Sequence, residues 1–147
     1  MEDRYLYKAK TTPKEKGEFN NVWVAGNLIV SNGKYYIHPV GNVVNVKNET
    51  GRIIVMHEVI PDTICRCTGL KDKNGKLIWE NDICDRKEPY PEIVKYCNGD
   101  WTLDYSYAIH KESGGCYCNL GFYVEERKCV EVIGNIFDNK DLLESEE

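Results

Sequence analysis

Turn signals recur along this chain at intervals too short for ordinary helices: Gly26-Asn27, Asn32-Gly33, Gly41-Asn42, Thr50-Gly51, Asn74-Gly75, Asn98-Gly99 and Gly114-Gly115. Gly and Asn enter the left-handed backbone region that tight reversals demand. The pieces between them are rich in Val, Ile, Tyr and Trp, which suit a pleated surface. Strands are therefore predicted over residues 22–25, 28–30, 34–38, 43–47, 52–57, 76–80, 92–96 and 101–107. The expected fold class is mostly β with minor α.

The sharpest predicted hairpin runs from Gly69 to Trp79, with its reversal at Lys73–Gly75 and a solvated, charged tip. A first strand near Tyr5 to Lys10 precedes a polar loop over residues 11–18. Pro61 and Asp62 interrupt the strand pattern, which places a soft boundary near residues 58–64. Residues 1–60 are read as a meandering antiparallel β region, and 61–137 as a small, strongly bent sheet closing on itself. Residues 138–147 are read as a short helical turn and acidic tail, in which Asp138-Asn139 precedes Leu142 and Leu143. All three are expected to pack as one compact unit.

Charge and cysteine usage narrow the setting. The formal charge is −5, but residues 138–147 hold five carboxylates against Lys140 alone, which leaves the body near −1. Avid, sequence-independent nucleic-acid binding is thereby disfavoured, since it rests on surplus Lys and Arg at phosphates. No apolar run approaches the roughly 20 residues that span a bilayer, and the first eight residues lack the apolar core of a secretory signal. A cytoplasmic protein without membrane contact is expected, and the triplet Asn48-Glu49-Thr50 is not read as a glycosylation site. The seven cysteines are expected to be free thiols on buried strand faces.

Two segments exceed generic β patterning. One is Thr68-Gly69-Leu70-Lys71-Asp72-Lys73-Asn74-Gly75-Lys76-Leu77-Ile78-Trp79-Glu80-Asn81-Asp82-Ile83, and the other is Val132-Ile133-Gly134-Asn135-Ile136-Phe137-Asp138-Asn139. Together they resemble the YopX family of bacteriophage and prophage proteins, as do Tyr7-Lys8-Ala9-Lys10 and Trp23 to Leu28. Asn81 stands where that family often has Gly, and Cys84 where Val is common. The resemblance implies an SH3-like barrel in the second half and a phage or prophage origin in a bacterial host. It implies no catalytic residues.

Gly69 to Lys76 lacks the spacing and the Ser or Thr of a phosphate-binding loop. His57-Glu58 begins a zinc-protease pattern that fails at Pro61. Cys65-Arg66-Cys67 and Cys116-Tyr117-Cys118 could each present two thiols on one strand face, but the spacing is short for zinc. Glu80, Asp82 and Asp85 are read as turn and edge residues rather than a cation site. No cofactor, metal or catalytic group is expected.

Aromatic content in the second half is the feature most compatible with binding. The candidate macromolecule-binding face comprises Lys71, Lys73 and Lys76 at the hairpin, with Tyr105, Tyr107 and His110 on an aromatic strand. The leading expectation is a noncatalytic accessory protein that contacts another protein, including a second copy of itself through strand edges. Nucleic-acid binding by aromatic stacking and lysines is the alternative, and a thiol- or metal-dependent enzyme ranks last.

Overall fold

The computed structural model describes residues 5–13, 20–39, 46–48, 51–53, 55–109 and 118–144. Its strands are β1 (Tyr7–Lys10), β2 (Trp23–Ser31), β3 (Lys34–Pro39), β4 (Val46–Asn48), β5 (Gly51–Ile53), β6 (His57–Glu58) and β7 (Cys65–Lys71). They continue with β8 (Leu77–Trp79), β9 (Asp82–Asp85), β10 (Glu92–Cys97), β11 (Asp100–Asp104), β12 (Cys118–Asn119) and β13 (Glu131–Asn135). A four-residue helix, α1 (Ser106–Ile109), a wide helical turn at Phe122–Glu126 and 3-10 turns at Pro61–Thr63 and Lys140–Leu143 complete the description. The mostly β expectation is met. Internal contacts divide the chain into two units, Met1–Arg66 and Cys67–Glu147.

In the first unit β6, β3, β2 and β1 lie side by side, and the first two residues of β7 pair with β1. All pairings are antiparallel. Asn32 and Gly33 take φ of 51° and 73° between Ser31 and Lys34, which face each other across the ladder. Two consecutive left-handed residues match the twist of the strands they join. Ala9, Ile37 and Val59 are buried on one face, with Tyr7, Val24, Leu28, Tyr35 and Ile64 packed around them. β4 and β5 form a separate two-stranded ladder.

Gly26-Asn27 is not the turn its composition suggested, because both residues run through the middle of β2. A Cβ on Gly26 would lie 1.9 Å from the backbone oxygen of His38. Glycine is here for close approach between strands, not for reversal.

The second unit holds a five-stranded sheet in the order β12-β11-β10-β9-β13, and the rest of β7 pairs with β8. Asn98 and Gly99 (φ 50° and 84°) repeat the two-residue reversal between β10 and β11. Ile78, Cys84, Val94, Leu103, Leu120 and Val130 form the core. Burying each large aliphatic side chain contributes about 1.5–3 kcal/mol.

The described sheet does not close into the expected barrel. β12 and β13 are its two ends. At β13 the Val132 amide meets the Asp72 carboxylate at 2.9 Å, and the Asn135 amide meets Asn139 Oδ1 at 3.1 Å. Side chains occupy donors that a closing strand would need, a common way of blunting a sheet edge.

The strand predicted over residues 101–107 stops at Asp104, whose Oδ1 accepts the Ser106 amide at 2.7 Å. That local bond bends the backbone out of extended geometry and starts α1. The predicted C-terminal turn is present at Lys140–Leu143, although Asn139 turns its side chain back to Asn135 instead of capping it.

Cys65, Cys67, Cys84, Cys118 and Cys129 are free thiols, the first three of them buried. Cys97 is disulfide-bonded, which corrects the expectation of a reduced thiol there. Among the described residues no helix is long and apolar enough to cross a membrane.

Candidate functional site

The Gly69–Trp79 hairpin is organised by one carboxylate. Asp72 is 7% exposed, and its Oδ1 accepts the amides of Asn74 and Lys76, each at 2.9 Å. Oδ2 takes the Val132 amide, and the Lys73 amide donates to the Val130 carbonyl, so the hairpin loop is fastened to the start of β13. Burial alone would raise the Asp72 pKa. The three amides and the Lys76 charge outweigh it and hold the carboxyl below its usual value.

The sign of the resulting pH dependence follows directly. A depressed carboxyl contributes stability that is present above its unfolded value near 3.8 and lost as pH falls through the lower folded value. Asp72→Asn would set an amide NH2 against the Val132 N–H, two donors facing each other. It is expected to cost about 2–3 kcal/mol at pH 7 by urea unfolding. The gap to the parent should narrow below pH 3.8, where the parent's own carboxyl protonates.

Beside this hairpin lies an open groove of about 410 Å³, lined by Gly69, Leu70, Lys71, Asp72, Lys73, Val124, Glu125 and Lys128. Its second wall comes from the turn Phe122–Glu126. The Phe122 amide donates to Asn119 Oδ1 at 2.7 Å, which starts that turn. Leu120 and Val124, four residues apart, then fall on the core side. Leu70 and Val124 make an apolar floor, while Lys71, Lys73 and Lys128 stand exposed at the rim against Glu125. Lys73 also pairs with Glu131 at 3.3 Å, both side chains being 39% exposed, a contact that contributes little.

A family model described as YopX protein matches residues 4–144 of the chain. The chain belongs to the YopX family. No curated protein matches it.

The motif blocks of this YopX chain are structural in their polar groups. Thr68 Oγ1 donates to the Ile78 carbonyl at 2.7 Å across the hairpin. Asn81, at the position where the family often has Gly, takes φ of 71°, the left-handed conformation that Asn tolerates best after Gly. Asp82 is 2% exposed and accepts the Trp79 amide at 2.8 Å, and Asp85 accepts that of Lys87. In the terminal block Gly134 makes room for Asn139, whose Oδ1 would lie 2.5 Å from a Cβ there.

Of the residues expected at a binding face, Lys71 and Lys73 line the groove, and Lys76 is exposed on the same hairpin. Tyr105 and Tyr107 do not alternate on a strand. Tyr105 packs against Tyr90 with ring centroids 5.7 Å apart, and the Tyr107 hydroxyl donates to the Pro91 carbonyl at 2.5 Å. Burial, helped by the Glu92 charge, raises the Tyr107 pKa. Both tyrosines thus tie α1 to the segment before β10. His110 and Cys116 lie outside the described residues.

One cluster in the YopX chain had no sequence expectation at all. Arg86 donates through Nε to Glu92 Oε1 at 2.5 Å, through Nη1 to Glu88 at 3.0 Å and through Nη2 to the Cys118 sulfur at 3.2 Å. Its guanidinium also stacks 4.2 Å from the Tyr123 ring centroid. The side chains of Arg86 and Glu92 are 10% and 1% exposed. Burial raises the Glu92 pKa against the opposing pull of Arg86, and burial likewise raises that of Cys118. Among the described residues no three His, Cys, Asp or Glu side chains are gathered as a metal would require.

Proposed function

We propose that this chain is a noncatalytic accessory protein of a phage or prophage, working inside the bacterial host by holding a short acidic segment of a partner protein in the lysine-rimmed groove. The observation that carries the reading is the contrast at that groove: an apolar floor of Leu70 and Val124, with three exposed lysines against one glutamate. The unit around it is acidic, with ten Lys and Arg against seventeen Asp and Glu from Cys67 to Glu147. A basic strip on an acidic body steers an anionic partner to one place and one register. Asp72 is engaged by backbone amides rather than by these ammonium groups, and the half-exposed Lys73–Glu131 pair is weak enough to yield its lysine to a partner carboxylate. The family's phage association supports the setting.

The test is fluorescence anisotropy with a labelled decapeptide alternating Leu and Glu, set against a Leu and Lys version. The acidic peptide should bind, and the double substitution Lys71→Glu with Lys73→Glu should weaken it at least about tenfold, the scale of mutated interfacial charge pairs. Equal binding of both peptides, or indifference to the charge reversal, would end the reading. A second copy of the chain is the other source of an acidic segment. Its role would be refuted by a strictly monomeric mass at tens of micromolar.

A further inference from the structure

The first unit presents a different surface. Residues directly opposite in an antiparallel ladder share a face, so Lys8 and Lys10 of β1 lie with Trp23 of β2, on the side away from Ala9, Val24 and Ile37. The ladder between β2 and β3 puts Lys34, Tyr36 and His38 on that same side. All are half-exposed except Lys34, which is exposed. The Lys8 and Lys10 ammonium groups stand 4.6 and 5.4 Å from the Trp23 ring centroid. Trp23 lies opposite Lys10, while Tyr36 lies opposite Ile29, six residues further along β2. The two rings are therefore about 20 Å apart along the strand direction.

Charge separates the two units in the same sense. Met1–Arg66 carries nine Lys and Arg against seven Asp and Glu, a net +2, whereas Cys67–Glu147 carries a net −7. The near-neutral body read from the whole sequence conceals this asymmetry. Among the described residues the carboxylate in register on this face is Glu58, opposite Tyr36, and it sits 3.7 Å from Lys34. That exposed pair is weak enough to yield its lysine to a stronger anion.

We infer that this outer sheet face binds single-stranded nucleic acid, with bases stacking on Trp23 and Tyr36 and phosphates taken by Lys8, Lys10 and Lys34. The chemistry is that of flat aromatic platforms interleaved with cations: stacking accepts any base, and the cations follow the backbone. Lys8 and Lys10 are already concentrated at the ring, so a strand entering there exchanges a cation–π contact for a phosphate contact. The site is separate from the groove and stands or falls without it.

The experiment measures binding of labelled dT12 and U12 to the full chain by anisotropy, from 20 to 300 mM salt, alongside quenching of tryptophan emission. Both strands should bind at low salt, and preference for one tells DNA from RNA. Lys8→Gln with Lys10→Gln should weaken binding about tenfold at low salt. It should also flatten the logarithmic salt slope by about 1.4, at roughly 0.7 per phosphate. Trp23→Leu should weaken binding by about tenfold, and the lysine pair decides the matter should that variant fold poorly. Lys87→Gln with Lys140→Gln, an equal loss of charge elsewhere, should leave affinity unchanged. Absence of binding at 20 mM salt, equal affinity for a duplex of the same length, or equal losses from both lysine pairs would each overturn the inference.

Discussion

Gly26→Ala is expected to destabilise the first unit by about 4 kcal/mol, near the upper end of what one substitution does. The added Cβ would sit 1.9 Å from the His38 oxygen, 2.7 Å from its carbonyl carbon and 2.9 Å from Pro39 Cα, all backbone atoms. No rotamer change relieves a clash with backbone, so β2 and β3 must separate where Gly26 faces Pro39. Much of the small core around Ala9, Ile37 and Val59 rests on that ladder. Thermal unfolding followed by circular dichroism would report the loss. Amide exchange should show it concentrated at Leu28 to Ser31 and at Lys34 to His38. Gly33→Ala is the informative contrast, since nothing lies within 4 Å of its Cβ and only the φ of 73° is strained. It is expected to cost about 1 kcal/mol. Equal losses for the two variants would refute the steric account.

The same comparison explains what was legible in the sequence. Asn32-Gly33 and Asn98-Gly99 could be read because a two-residue reversal is decided by its own backbone preferences. Gly26-Asn27 has similar composition but no such local cause, because what requires the glycine is an oxygen twelve residues away. Tyr105 and Tyr107 alternate as a strand would, yet the Asp104 side chain reaches the Ser106 amide first and turns the chain. Here a local side-chain bond defeated a correct periodicity.

The groove was half legible. A charged hairpin tip points to Lys71 and Lys73 without help from the fold. Val124, Glu125 and Lys128 join it only because the turn after Asn119 packs beside the hairpin, and the sequence hints at that turn merely through Asn119 and the spacing of Leu120 and Val124. The closed barrel that the resemblance implied is not seen among the described residues, for a related reason. Asp72 reads as a turn residue, and nothing in its neighbours announces that its second oxygen reaches across sixty positions to Val132. The basic outer face of the first unit was hidden by summing charge over a chain whose two units differ in sign.

Arg86 and Glu92 illustrate the remaining blind spot and carry the second large expectation. Arg86→Met should cost about 3–5 kcal/mol at pH 8, the usual consequence of leaving one member of a buried ion pair without the other. Glu92 is already held above its ordinary value by burial, with Arg86 opposing. Without the guanidinium it should rise further. Between the ordinary value of 4.5 and the raised one, the folded variant holds a proton that the unfolded chain releases. Stability in that window increases as pH falls, so the deficit should shrink from pH 8 toward pH 5. That is the opposite sign to Asp72, whose contribution is lost in acid. Cys118 supplies an independent readout: it loses a donor at 3.2 Å and a positive charge, so its thiol should react more slowly with a disulfide reagent. Adding Glu92→Leu to Arg86→Met should recover most of the loss, because an apolar pair needs no compensation in that interior. A deficit that stays constant with pH, together with a double variant no better than the single one, would mean that lost packing against Tyr123 governs the site rather than the uncompensated carboxylate.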